Sequence, residues 1–289
     1  MTAPAAHVVL RDRALVDVFD LAVRFVAAHA ARLWRPMLAL LAPGFALCWL
    51  VGVSHGWIAA WIAALALGMV AQAPFTLFAS RLVFDDRASL SGALRDSVRA
   101  ASALVVVRAA QAALPASAAL LLALAVGSEN KAAIALAALF CVLIGLVSLW
   151  LGALFVFAPE AAMLERGGAT ASLRRARALS GSSPSDALLT LVAIALVVAS
   201  MVLVAEYAGR SLLEDLLQVD APPALIEVGG SPLALAGFWL SVPYVAVARL
   251  LAYLNVRTRV EAWDVQTRFF ALAARAQDAE TLLAPRRAS

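Results

Sequence analysis

The sequence predicts an all-α, polytopic membrane protein with six transmembrane helices in three hairpins and cytoplasmic interfacial amphipathic helices. Three observations predict it. Charged residues are only 15% of the 289 and the mean hydropathy is +0.90, where soluble domains carry about 25% charged residues. Six stretches are apolar over the roughly 20 residues that a helix needs to cross the hydrocarbon layer. The basic residues fall almost wholly on one side of those stretches. A water-soluble globule of this size has too much surface to hide a 64% apolar composition. The same composition argues against a disulfide scaffold, a disordered chain and a nucleic-acid binder.

The six spans run near Pro36–Ser54, Trp57–Ala79, Ala101–Gly127, Ala132–Ala158, Asp186–Ala205 and Ser231–Leu254. Each is predicted as a helix because lipid cannot satisfy open backbone groups. His55–Gly56 joins the first two and Ser128–Lys131 the next two, so both pairs read as tight hairpins. Gly52 and Gly56 read as close packing at the first turn. The domain reading that follows is a cytoplasmic N-terminal amphipathic helix (1–35), a six-helix domain (36–254) and a cytoplasmic juxtamembrane helix and tail (255–289). Met1–Asp17 has no apolar core of its own, so no cleaved signal is expected there.

Orientation follows from the Lys/Arg bias of the flanking segments. One side collects 21 basic residues, while the other holds only Lys131 and Arg210, with Glu129, Glu206, Glu214, Asp215, Asp220 and Glu227. The basic side is read as cytoplasmic, with both termini there, in a bacterial inner membrane. Trp34, Trp49, Trp57 and Trp61 fit the interfacial aromatic belts; Trp150 and Trp239 read as deeper packing residues.

The cytoplasmic segments carry helical periodicity. Leu15, Phe19, Ala22, Val26 and Leu33 form one apolar stripe. Leu90, Ala93, Leu94 and Val98 form a second, and Leu173, Ala176 and Leu179 a weaker third. Basic amphipathic helices of this kind lie in the plane of the interface. Phe19–Arg24 aligns with Leu94–Arg99, and Leu94–Arg95 with Leu173–Arg174, which suggests three repeats of an amphipathic helix followed by a hairpin.

No constellation for catalysis emerges. His7, His29 and His55 lie apart from any carboxylate or cysteine at metal-ligand spacing, and no nucleotide, hydrolase or zinc motif is present. The expectation is no enzyme, no cofactor and no metal. Cys48 and Cys141 read as inert thiols inside apolar runs. Polar groups at depth are few: Gln72, Arg108, Gln111 and Tyr244. The glutamines are expected to bond between helices, and Arg108 to reach back toward the interface.

Beyond the sixth span, Arg257, Glu261, Asp264 and Arg268 recur at helical spacing as an ion ladder. Arg174, Arg175, Arg177, Arg257 and Arg259 are the candidates for anionic lipid headgroups, each contributing on the order of 1 kcal/mol. The segment Tyr253-x-Asn255-x-Arg257-x-Arg259-x-Glu261-Ala262-Trp263-Asp264 resembles the ending of a group of bacterial six-helix membrane proteins. That group includes the membrane region found with glycerophosphoryl diester phosphodiesterases. Pro159-Glu160, Glu165, Leu173-Arg174-Arg175 and Leu179-Ser180-Gly181 are similar to its loop before the fifth span. Asp17, Phe19-Asp20, Arg24, His29 and Arg32 fit its first helix. The chain departs from that pattern at Asn255, Ala262 and Ala176. The phosphodiesterase catalytic domain has no counterpart in these residues, so the resemblance implies a fold and topology, not that activity.

The function expected is auxiliary: a scaffold organising lipid, including anionic headgroups, or a membrane-protein partner in the envelope, without nucleic acid. The alternative is a permease for a small or amphipathic solute, motivated by the prolines and glutamines at depth. A polar cavity reaching Gln72 and Gln111 would favour the second.

Overall fold

The computed structural model describes residues 13–84, 89–127, 130–165 and 167–261. Among them there is no strand. Ten α-helices follow in order: α1 (Leu15–Ala28), α2 (Ala30–His55), α3 (Trp57–Phe84), α4 (Leu90–Gly127), α5 (Lys131–Leu154), α6 (Ala158–Leu164), α7 (Ala169–Ser182), α8 (Pro184–Ser211), α9 (Leu225–Val228) and α10 (Pro232–Glu261). Six stretches are long and apolar enough to cross a membrane, and they lie where the hydropathy places them.

Their ends differ from the sequence expectation in an instructive way. The second amphipathic stripe, Leu90–Val98, is not a separate element but the first turns of α4, which runs unbroken for 38 residues. No glycine or proline between Leu94 and Leu114 interrupts it. Likewise α2 begins at Ala30, ahead of the expected boundary at residue 36, and α10 runs past 254 to Glu261. Asp264 and Arg268 of the expected ladder lie outside the described residues.

The bundle is built around α10. Most of its residues are buried, from Ala234 to Thr258, and it packs against α8, α3, α1 and α2. By contrast α5 is almost wholly exposed and packs chiefly on α4 and α8. Its outward apolar surface is what lipid would cover. Helix α1 lays Val18, Ala22 and Phe25 against this core rather than leaving its stripe free. On α7, Ala176 joins Val107, Ala158 and Ala162 in a small second core.

Small residues bring the helices close. A Cβ on Gly237 would lie 2.3 Å from the Met201 carbonyl oxygen and 2.7 Å from the Ala205 Cβ, so α8 and α10 cross nearly backbone to backbone. Gly44 makes room for the Trp239 ring in the same way. At the α2–α3 turn, Gly56 adopts φ +89°, a conformation that favours glycine. Gly52 packs beside Trp57 and Ala60, as its spacing suggested. Trp239 is buried, but Trp150 faces outward at 63% exposure, against the expectation of a packing role. Trp150 borders a small cavity with Ser180 of α7 and Pro184, Ala187 and Leu188 of α8, which leave most of the ring uncovered.

Gly237→Ala is expected to destabilise the bundle by about 1–3 kcal/mol, since a backbone carbonyl cannot give way to the added methyl. Gly145→Ala on the open face of α5, where nothing lies within 4 Å, is the control. Thermal unfolding in detergent should lower the midpoint for the first variant only.

Candidate functional site: paired charges inside the bundle

Between α5 and α6 the helix breaks at Phe155–Phe157, and the chain turns directly into Pro159 and Glu160. At the break the Phe155 carbonyl keeps one backbone donor, the Ala158 N–H at 3.0 Å, and the bend opens it and the Val156 carbonyl to side chains. Two side chains reach them. Gln111 Nε2 donates to the Phe155 oxygen at 2.7 Å, and Arg249 Nη2 donates to the Val156 oxygen at 2.5 Å. Arg249 then grips Glu160 with a bidentate pair, Nε to Oε1 at 2.7 Å and Nη2 to Oε2 at 3.0 Å. Glu160 is 1% exposed and Arg249 7%.

Beside this pair lies a second polar group. Arg108 Nη2 donates to Gln72 Oε1 at 3.0 Å and Nη1 to Gln111 Oε1 at 3.3 Å. Arg108 is 9% exposed, so it does not reach back to the interface as its position suggested. Its Nε has no hydrogen-bond partner. Arg249 repels its charge and Glu160 attracts it. Both oxygens of Glu160 are held by Arg249, so two arginines and one carboxylate leave one positive charge in excess. Among the described residues, the cavity between α3, α4 and α6 and the apolar cleft between α2 and α10 do not have Gln72, Arg108 or Gln111 in their linings. The fourth intramembrane candidate, Tyr244, stands apart and donates to the Phe19 carbonyl at 3.2 Å, tying α10 to α1.

A second charged cluster closes the same end of the bundle. Glu165, just after α6, accepts from Tyr253 and from Arg175 Nε at 3.1 Å. Arg175 also pairs with Glu261, which Arg257 Nε meets at 2.8 Å. Burial works against the charge on Arg175, but Glu261 and Glu165 outweigh it and hold the guanidinium above its ordinary value. Arg259 pairs with Asp186 at 2.5 Å, while Asn255 and the Arg13 backbone bond reciprocally at 3.0 and 3.1 Å. Of the five headgroup candidates, Arg175, Arg257 and Arg259 therefore hold carboxylates of the protein itself. Arg174 and Arg177 are exposed. The Arg257–Glu261 rung of the ladder is formed.

At the opposite end, buried Glu206 accepts from the Leu225 backbone at 3.0 Å, from Arg210 at 3.4 Å and from Ser231. Arg210 also reaches Glu214 at 2.9 Å and the Pro222 carbonyl at 2.7 Å. The long connection between α8 and α10 is thereby fastened to its own helix ends.

The pairing of Glu160 with Arg249 is not evident in the sequence: Glu160 lies beyond the expected end of the fourth span, and Arg249 lies within the sixth, near its basic end. The available signal was a single arginine flanked by Ala-Val-Ala and Leu-Leu-Ala. No family model matches the chain, and no curated protein or solved structure shows significant similarity to it.

Removing one partner strands a buried charge, so Glu160→Ala and Arg249→Ala are each expected to cost about 3–5 kcal/mol. The double variant should lose less than the sum. A double-mutant cycle on unfolding in detergent measures this, and single variants within about 1 kcal/mol of the parent would contradict a structural pair.

Proposed function

We propose that this chain is an auxiliary scaffold of a bacterial inner membrane, arranged as three hairpins with both termini in the cytoplasm. It organises anionic lipid, or a membrane-protein partner, at its cytoplasmic face and catalyses no reaction. The observation that carries this reading is the division of its polar groups. Those inside the bundle are engaged with each other: Gln72 and Gln111 with Arg108, Glu160 with Arg249. The exposed cations Arg174 and Arg177 stand at one end, on the amphipathic helix α7. A permease would need the two glutamines on an open path; here Gln111 is spent on Arg108 and on the Phe155 carbonyl.

The orientation has its own test. A cysteine at position 178, on the exposed face of α7, should be labelled by an impermeant reagent only after cells are opened. One at position 217, on the α8–α10 connection, should be labelled in intact cells. The reverse pattern would invert the topology.

For the lipid role, protein extracted in mild detergent should retain phosphatidylglycerol or cardiolipin enriched over phosphatidylethanolamine. Arg174→Gln with Arg177→Gln should reduce that enrichment severalfold. Protein recovered with neither enriched lipid nor partner would refute the proposal.

A further inference from the structure

A cavity of about 470 Å³ opens among α3, α4 and the α6–α7 connection. It is distinct from the arginines of α7 and α10 considered above. Its polar lining includes Arg81, Asp96, Arg99, Ser102 and the Gly167–Gly168 pair. Asp96 bridges the two arginines, with Arg81 Nη2 at 2.5 Å and Arg99 Nη1 at 3.2 Å. Two cations and one carboxylate leave the lining one positive charge in excess. Arg81 is held in place from below as well. A Cβ on Gly92 would overlap its guanidinium, so the glycine provides the seat on which the cation rests.

Two further features give the cavity the same sign. Arg108 lies five residues beyond Ala103, one of the lining residues, which is about 7.5 Å deeper along α4. Its charge is 91% buried, Glu160 being engaged by Arg249, and its Nε has no hydrogen-bond partner. The glycine pair leads directly into α7, whose first turn has no side-chain cap, so its positive end adds to the field. Serine hydroxyls, backbone N–H groups and a bridged arginine pair are the donors that a phosphate oxygen takes.

We propose that this cavity binds a phosphate group, borne by a lipid headgroup at the cytoplasmic interface or by a soluble phosphate. The lipid form rests on the scaffold reading and adds to it a second site, apart from Arg174 and Arg177. Arg99 is the ligand that reaches outward, its side chain 68% exposed. Arg81 is the fixed one, and Asp96 holds both in register. An apolar wall of Leu77, Ala100 and Met163 leaves room for the first carbons of a chain.

Calorimetric titration of the detergent-solubilised protein tests this with three probes: dioctanoyl phosphatidylglycerol, the phosphate-free dioctanoylglycerol, and inorganic phosphate. Phosphatidylglycerol should bind and dioctanoylglycerol should not. Arg99→Gln, at an exposed position that folding does not need, should weaken binding roughly fivefold. Inorganic phosphate that binds as tightly as the lipid supports the site with a soluble phosphate as its ligand. Lipid that binds at least tenfold more tightly supports the headgroup. Equal binding of the phosphate-free lipid, or no loss in Arg99→Gln, overturns the proposal. In that event, retained enrichment of anionic lipid with Arg174 and Arg177 intact leaves the scaffold reading standing, and its absence removes both.

Discussion

Lipid offers no partner to a backbone carbonyl, and that constraint shapes the centre of this protein. Breaking the chain between α5 and α6 opens two carbonyls to side chains, Val156 and, beside its Ala158 N–H, Phe155. Gln111 satisfies one and Arg249 the other. An arginine so placed brings a charge with it, and Glu160, one turn past the break, neutralises that charge. The ion pair is thus a consequence of the bend. It also sets α10 against α6 at a fixed height, because a bidentate guanidinium–carboxylate contact tolerates little rotation.

The two ends of the bundle repeat this logic with different residues. At one end, Glu165, Arg175, Arg257 and Glu261 interlock α7 with α10, and Tyr253 joins them from within α10. At the other, Glu206 draws Arg210, Ser231 and the Leu225 backbone into a single clasp. Between these clasps the contact is steric: Gly237 lets α8 approach within backbone distance. Side-chain charge therefore fixes the ends, and the absence of a side chain fixes the middle.

How much of this could be read beforehand follows from which forces are local. The six spans were legible because the requirement for about 20 apolar residues acts within each segment. The link between Gln72 and Gln111 was half legible; both were expected to bond across helices, but Arg108 as their shared donor was not. The partnership of Glu160 with Arg249 was not legible, since 89 residues separate them and each looked like part of a basic or acidic flank. The arginines read as headgroup ligands show the same limit. Arg175, Arg257 and Arg259 look free in sequence and gain carboxylate partners only when α7, α8 and α10 meet. Continuity of α4 was misjudged for the opposite reason: a change from amphipathic to apolar pattern resembles a boundary, yet nothing in Arg95–Ala103 breaks a helix.

The burial of α10 carries a consequence for how the chain assembles. It is the sixth span in chain order, yet it is the axis on which α1, α2, α3 and α8 all pack. During synthesis α1, α2, α3 and α8 therefore precede the element on which they pack. Helix α1 emerges first and waits longest for its partner, with Val18, Ala22 and Phe25 uncovered until more than two hundred further residues have followed. The hairpins α2–α3 and α4–α5 can pair beforehand, so the late step is the closing of α1, α2, α3 and α8 around the last helix.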